Sequence, residues 1–414
     1  SEKFVTQFQP IELDNSFTIG MAAHGNCLTT LFALRALFAS VTGSFNLILV
    51  DDASPDETYS LFELASQYHS NTRLFRFKRN KEYSGSLNAI LAHSIGTHTI
   101  FISNDIFITP SWIRQLISVA EQNSDVGIVR GCANFVDNGL LPHNVKDCGD
   151  LDNFEVLFEY AHNRLLQYQG GIIDDQFLTG DAFLVTRKVL DKIGYIDPIF
   201  YGYFADHDFA LRARKAGFRT VLAIGAFCWH QHGANFEYLE PKVREEKVRS
   251  RWARVNENWA RFKEKYALPH DMPYKGMRRI PWDELAKPHN MSNIFIGPVD
   301  YGNSLIPELG TLEWLKYRAT DISSRARKLM QSAHLSESIM LCKQALLLDE
   351  ECTEALTVLG SIQAYQGNVT AAIKTFRKTI RLGSIDDKVY SNLLLCMNYS
   401  EQCQQKDIFK WSRQ

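Results

Sequence analysis

From Phe17 to about Thr109 continuous apolar runs alternate with amphipathic stretches, and this alternation constrains the fold more than any other feature. The runs FTIGMAA, FNLILV, RLFRF and HTIFIS read as buried strands, and LTTLFALRALFASV, DETYSLFELASQY and SLNAILAHSI read as helices. Strands and helices in strict alternation build a mainly parallel sheet covered by helices on both faces. The pattern therefore predicts an α/β, Rossmann-like nucleotide-binding fold. Ligands of such sheets sit at the carboxyl ends of the strands, so polar residues directly after each apolar run are the first candidates. These are His24, Asp51 with Asp52, and Asn104 with Asp105.

At 414 residues the chain is long enough for two or three units, each with its own core. A basic and aromatic stretch, KVREEKVRSRWARVNENWARFKEKY, reads as a helix that wraps the first unit, which we bound at residues 1–265. Residues 266–322 contain prolines and read as a linker. From 323 to 414 the pattern becomes helical and self-similar, SIMLCKQALLLDEECTEALTVLG being echoed by AIKTFRKTIRLGSIDDKVYSNLL. Ile339 then maps to Ile373, Cys342 to Phe376 and Leu359 to Leu393, a spacing of roughly 34 residues that fits tetratricopeptide-like repeats. Lys plus Arg is 45 against 47 Asp plus Glu, which leaves no basic field for a nucleic-acid partner. No apolar leader core and no window of roughly 18 to 20 apolar residues is present, so no integral membrane segment and a cytoplasmic location are expected. The eight cysteines show no CxxC or zinc spacing and are expected to be reduced thiols.

Three segments carry residue types suited to chemistry. In LILVDDASPDET two carboxylates end a buried strand, where Asp51 could accept from a nucleobase or ribose; Asp and Ser are also ordinary turn and capping residues. In HTIFISNDIFITPSWI, Asn104 and Asp105 lie at another strand end, where a hard carboxylate can hold Mg²⁺ or Mn²⁺ against a diphosphate. In YGYFADHDFALRARKAGFRTV, Asp206 and Asp208 precede a helix, a position the helix dipole favours for any carboxylate. The later CWHQHG adds His230 and His232, of which one could complete a metal shell.

Taken in order, VDDASPDET, NKEYSGSLNAILAHSIG, ISNDIFITPSWI, LTGDAFLVTRKVLDKIGYIDPIF, ADHDFALRARKAGFR, WHQHG and NENWARFKEKY resemble the family-2 type of glycosyltransferase over roughly residues 15–265. The resemblance implies a GT-A fold. It further implies that Asp51 contacts the base or ribose of a nucleotide and that Asn104 and Asp105 stand at the DxD-like site. Asp105 becomes the metal ligand together with His230, His24 joins the nucleotide side, and Asp206 takes the catalytic-base position. Gly180 and Asp181 fall where this family approaches its acceptor, and Asp208 is placed on that side as well. Two positions depart from the family pattern: Asn104 replaces the first carboxylate of the DxD-like site, and Ala205 replaces the Glu expected before Asp206. The tail VYSNLLLCMNYSEQCQQKDIFKWSRQ is similar to the join between repeats and catalytic region in O-GlcNAc transferase and SPINDLY-like proteins.

The expected activity is an inverting, Mn²⁺- or Mg²⁺-assisted transfer of a sugar from a nucleoside diphosphate sugar, a UDP-sugar by expectation, to a hydroxyl of a protein or glycan. The repeats would recruit the protein acceptor or a partner protein. The rival from another class is a degenerate nucleotide-sugar-binding scaffold that acts through its helical repeats. A nucleotidyltransferase needs a Gly- and basic-rich loop after the first strand, and MAAHGNCLTT supplies none.

Overall fold

The computed structural model describes residues 8–136, 143–146, 148, 153–231, 241–288, 294–306, 311–384 and 386–400. His232 and the tail from residue 401 lie outside these. The chain divides into two compact units, Ser1–Leu305 and Ile306–Gln414.

The first unit opens with β1 (Ile11–Leu13), β2 (Phe17–Ala23), α1 (Cys27–Ser40), β3 (Val41–Gly43), β4 (Asn46–Asp51), α2 (Thr58–Tyr68), β5 (Thr72–Arg76), α3 (Glu82–His93) and β6 (His98–Ser103). The alternation predicts β2, α1, β4, α2, β5, α3 and β6; the short strands β1 and β3 are additions to it. The unit continues with β7 (Ile106–Phe107), α4 (Pro110–Gln122), β8 (Val126–Ala133), α5 (Phe154–Gln167), β9 (Ile172–Asp174), β10 (Ala182–Thr186), α6 (Arg187–Ile193), α7 (Ala205–Lys215), β11 (Arg219–His230), α8 (Pro241–Lys265) and α9 (Trp282–Leu285). β1 pairs only with β3. The main sheet runs β5-β4-β2-β6-β10-β8-β11-β7, with β9 on β11.

The sheet is mixed. β5, β4, β2 and β6 are mutually parallel, β10 runs antiparallel between β6 and β8, and β11 is parallel to β8. Because β10 is reversed, its first residue lies beside the carboxyl end of β6: Ala182 registers with Ile102, and the Ser103 amide donates to the Asp181 carbonyl. One rim of the sheet thus gathers the ends of β2, β4, β6, β8 and β11 with the start of β10. This is the arrangement of the GT-A fold, an α/β sheet flanked by helices.

Central strands read as unbroken apolar runs because both faces are covered. All six residues of β4 and all eight of β8 are buried, Arg130 among them. α4 starts where Thr109 caps the Trp112 amide at 3.1 Å and Pro110 pre-sets the first turn. α8 buries Val255, Trp259 and Phe262 at helical spacing. Residues expected as linker cover the same core, where Ile280 and Trp282 are buried and Tyr266, Met272, Tyr274, Tyr301 and Leu305 pack against it. Pro and polar residues had marked this stretch as loose, but its aromatic side chains fasten it down. Among the described residues no helix is long and apolar enough to cross a membrane, and no disulfide joins the cysteines.

The second unit contains α10 (Leu312–Gln331), α11 (Leu335–Leu348), α12 (Thr353–Tyr365), α13 (Val369–Arg381) and α14 (Asp387–Asn398), with neighbours packed on each other. Of the positions matched by the sequence repeat, Cys342, Phe376, Ile373 and Leu393 are buried in its small cores, and Ile339 and Leu359 are partly buried. A Cβ on Gly360 would stand 2.8 Å from the Phe376 ring, so α12 and α13 touch there as only a bare backbone permits.

A buried ionic network ties α7 to its surroundings. Asp208 pairs with Arg212 Nε at 2.7 Å and with Lys265 at 2.5 Å, and accepts from the Tyr266 hydroxyl at 2.8 Å. Arg212 also donates to the carbonyls of Ile193 and Tyr195 at 2.8 and 2.6 Å. Burial alone would raise the Asp208 pKa, but its two cations hold it below the ordinary carboxylate value. Replacing Arg212 by Met should therefore lower the unfolding free energy by about 3 kcal/mol in urea titrations at neutral pH, since it removes one of the two cations that hold a buried carboxylate. Because the folded-state pKa is the lower one, this stabilisation is full above the unfolded value of about 3.9 and drains away as pH falls through the folded value, so the gap between wild type and variant should close in acid.

Candidate active site

The nucleotide side of the rim is built from three interlocked turns. Asp51, the last residue of β4, is fully buried and pairs with Arg76 Nε at 3.0 Å, while its Oδ2 accepts the Ser54 amide at 3.3 Å. Burial outweighs these partners and pushes its pKa up, and among the described residues Oδ1 has no hydrogen-bond partner. Asp52 is also buried, which raises its carboxyl to about 6 against the Lys81 amide, which donates to it at 2.6 Å. His24, at the end of β2, is exposed and its Nδ1 lies 2.7 Å from the Asp52 carbonyl. The Ser54 hydroxyl accepts from the Gly25 amide at 2.8 Å, and Asp56 accepts from the Cys27 amide and from Thr58.

Asn104 belongs to this framework. Its amide nitrogen donates to the Gly25 carbonyl at 3.0 Å and to Thr30 Oγ1 at 2.8 Å, fastening the loop before α1 to the end of β6. A carboxylate could not make those two bonds, so the residue at the first DxD-like position is committed to holding the loop.

Asp105 faces the other way. Its Oδ2 lies 3.4 Å from His230 Nε2 at the end of β11, and its carbonyl accepts the Gln231 amide at 2.8 Å. On its other edge His230 Nδ1 lies 3.1 Å from the Phe135 carbonyl and 3.6 Å from Asp181 Oδ2. Burial alone would lower the imidazole pKa, but Asp105 and Asp181 outweigh it and raise it to about 9. Asp181 in turn pairs with the buried Arg130 at 2.5 Å. Among the described residues no group of three or more His, Cys, Asp or Glu side chains is arranged to hold a metal. The oxygen of Asp105 and the nitrogen of His230 do converge. A site with two protein donors suits a divalent ion that keeps water and takes its other ligands from a diphosphate.

Asp206 stands in the first turn of α7, with 15% of its side chain exposed. Oδ2 accepts the Gly180 amide at 2.7 Å and Oδ1 the His207 amide at 2.9 Å. Burial opposes its charge, yet the His207 imidazole and these amides hold its pKa below the ordinary value. Tyr83, from α3, donates to the Gly180 carbonyl at 2.8 Å. Asp208, two residues on, is fully buried in the ionic network beneath α7. This corrects its placement on the acceptor side: its carboxylate is committed to Arg212, Lys265 and Tyr266.

The rim carries left-handed backbone at residues other than glycine. Asn26 (φ 61°), Ala53 (φ 56°) and Glu82 (φ 59°) lie at strand-to-helix turns, and Phe204 (φ 65°) lies in the connection between α6 and α7. Sequence reading did not single out Arg130, Tyr83 or His207. The signals were an arginine inside the apolar run VGIVRGCA and a histidine between two aspartates.

Residues 18–194 match the sequence profile of Glycosyl transferase family 2. The match lies within the first unit and marks it as a glycosyltransferase domain. No curated protein matches the chain significantly. Distant resemblances to solved glycosyltransferases accompany the match. The mannosyltransferase PcManGT from Pyrobaculum calidifontis, solved with GDP-Man and Mn²⁺, is 14% identical over 56% of this chain and 64% of its own, with a TM-score of 0.39. GalNAc-T7, solved with UDP, GalNAc and Mn²⁺, is 12% identical over 55% of this chain and 45% of its own, with a TM-score of 0.41. TarS 1-349 of S. aureus is 12% identical over 65% of this chain and 78% of its own, with a TM-score of 0.39. This chain thus spans less than two thirds of the first two. At these TM-scores none of the three defines a substrate for the glycosyltransferase domain.

Gly180 provides a direct test of how tightly the rim is assembled. A Cβ there would lie 2.0 Å from the Tyr83 hydroxyl and 2.8 Å from Asp206 Cβ, and Tyr83 is held by its own hydrogen bond. Gly180→Ala should lower turnover of a sugar donor by at least about tenfold, the effect expected of a misplaced reacting group, while nucleotide affinity measured calorimetrically stays within about twofold. Adding Tyr83→Phe should recover part of the loss.

Proposed function

We propose that this protein transfers a sugar, with inversion, from a nucleoside diphosphate sugar to a hydroxyl of a protein or glycan acceptor, with Asp206 as general base. A UDP-sugar is the favoured donor. The observation that carries the reading is the held carboxylate of Asp206, which lies beyond the matched residues 18–194: ionised, partly exposed, and fixed through Oδ2 by the Gly180 amide at 2.7 Å.

In this reading Asp51 lies at the nucleobase or ribose side of the donor, with His24 beside it. Asn104 acts at one remove, by holding the Gly25–Thr30 loop against which the nucleotide lies. Asp105 and His230 hold Mn²⁺ or Mg²⁺, which when bound offsets charge on the departing diphosphate. Asp181 orients the acceptor hydroxyl or, through His230, the metal side. Asp206 then takes the hydroxyl proton as the acceptor oxygen bonds to the anomeric carbon and the bond to the diphosphate breaks. A base held below the ordinary carboxylate value takes that proton late, once bond formation has made the hydroxyl acidic.

The second unit supplies tetratricopeptide-like repeats that recruit a protein acceptor or partner, and the working location is the cytoplasm. Proposed boundaries follow the sequence: catalysis in 1–265, repeats in 323–414. One observation favours a nucleotide-sugar-binding scaffold instead, namely that Asn104 and Ala205 supply no charge at two positions where the family pattern has carboxylates.

A panel of UDP-, GDP- and dTDP-sugars with Mn²⁺ or Mg²⁺, read by nucleotide release, separates the two. We expect metal-dependent release from one donor, reduced by about 10²- to 10⁴-fold in Asp206→Asn, the range for loss of a general base. Nucleotide binding without release from any donor would overturn the enzyme reading in favour of the scaffold.

A further inference from the structure

His207 is 4% exposed and separates the two aspartates of α7. Its Nδ1 lies 3.0 Å from Asp206 Oδ1. The rest of the ring is boxed by aromatic side chains, with centroids 5.6 Å from Trp282, 5.8 Å from Phe204 and 6.2 Å from Phe177. Neither ring nitrogen has an in-line hydrogen-bond partner among the described residues. Burying an imidazole in an aromatic box without such a partner is unfavourable, and a phenylalanine would fill the same space without that cost. What a phenylalanine could not provide is a polar edge against Asp206.

We propose that His207 is a positioning residue for Asp206: the imidazole edge holds Oδ1 while the Gly180 amide holds Oδ2, fixing the carboxylate from both sides. Oδ1 then meets both the His207 amide and the imidazole edge, and the second lone pair of Oδ2 remains for the acceptor hydroxyl. The inference rests on the reading of Asp206 as the base.

The other groups around the carboxylate do not duplicate this role. Tyr83, from α3, spends its hydroxyl on the Gly180 carbonyl. Asp181 is met by Arg130 and lies close to His230, and Asp208 is met by Arg212 and Lys265. Without the imidazole, burial faces only backbone amides, so the carboxyl gains affinity for protons and less of it is ionised in acid.

The test is the pH dependence of kcat/KM for wild type, His207→Phe and His207→Asn, with the most active donor and saturating metal. In wild type the acid limb should lie below the ordinary carboxylate range. In His207→Phe it should rise by about one pH unit or more, equal to about a tenfold loss on the limb, with the plateau within a few-fold of wild type. His207→Asn returns an N–H near the Nδ1 position but no charge, and should move the limb part of the way, which also serves if the phenylalanine variant fails to fold. Limbs that coincide in all proteins would overturn the proposal and leave His207 a packing residue. A ¹³C carboxyl titration of the unliganded protein, with Asp206 assigned by the signal lost in Asp206→Asn, reads the same shift without turnover: an upward move supports the proposal, and none overturns it. Should Asp206→Asn retain full activity, the base assignment fails, while the carboxyl titration still decides whether His207 holds Asp206.

Discussion

The buried carboxylate of Asp208 is the interaction on which the site's geometry depends. α7 begins at a left-handed Phe204 with no side-chain cap, so the direction in which its first turn enters the rim depends on bonds to other elements. The ion pairs to Arg212 and Lys265, and the bonds from Arg212 to the Ile193 and Tyr195 carbonyls, clamp the helix to α6 and to the end of α8. Asp206 is two residues away on the same turn. Its position is therefore set by a largely buried ionic network together with its own bond from the Gly180 amide, and a network with its partners satisfied gives rigidity that apolar packing alone would not.

Much of the fold was legible because it follows from periodicity. The runs FTIGMAA, FNLILV and HTIFIS became β2, β4 and β6, and their ends carry His24, Asp51 and Asn104 with Asp105 as strand-end logic requires. The reversal of β10 was not legible, since AFLVT reads the same in either direction and only pairing with β6 and β8 orients it. That reversal delivers Asp181 to the rim. Asp208 was misread for a related reason: an acidic residue near a helix start looks the same whether it faces solvent or a buried Arg212. Its i,i+4 spacing to Arg212 was visible, but the approach of Lys265 from a distant helix was not. The stretch after residue 265 carried prolines and polar residues outside and aromatic anchors inside, and composition alone reports the former.

The two departures from the family pattern acquire different meanings in three dimensions. Asn104 exchanges a charge for an amide that ties two loops together, so its loss would be felt first in the shape of the nucleotide side. Ala205 is wholly buried, among the core side chains beneath the rim. A carboxylate there would be buried and would need a hydrogen-bonded or charged partner of its own.

The left-handed turns at Asn26, Ala53, Glu82 and Phe204 bear on how this protein tolerates change. Each holds a side chain where backbone sterics disfavour one, at an energy of order 1 kcal/mol per residue. Glycine at such positions would relieve the strain but widen the unfolded ensemble, so the two effects oppose and thermal stability would move little. The loops would then gain freedom without a matching stability signal. A drift towards glycine at these turns could loosen substrate positioning while remaining nearly invisible to selection for folding, and variant libraries screened on stability alone would fail to register it.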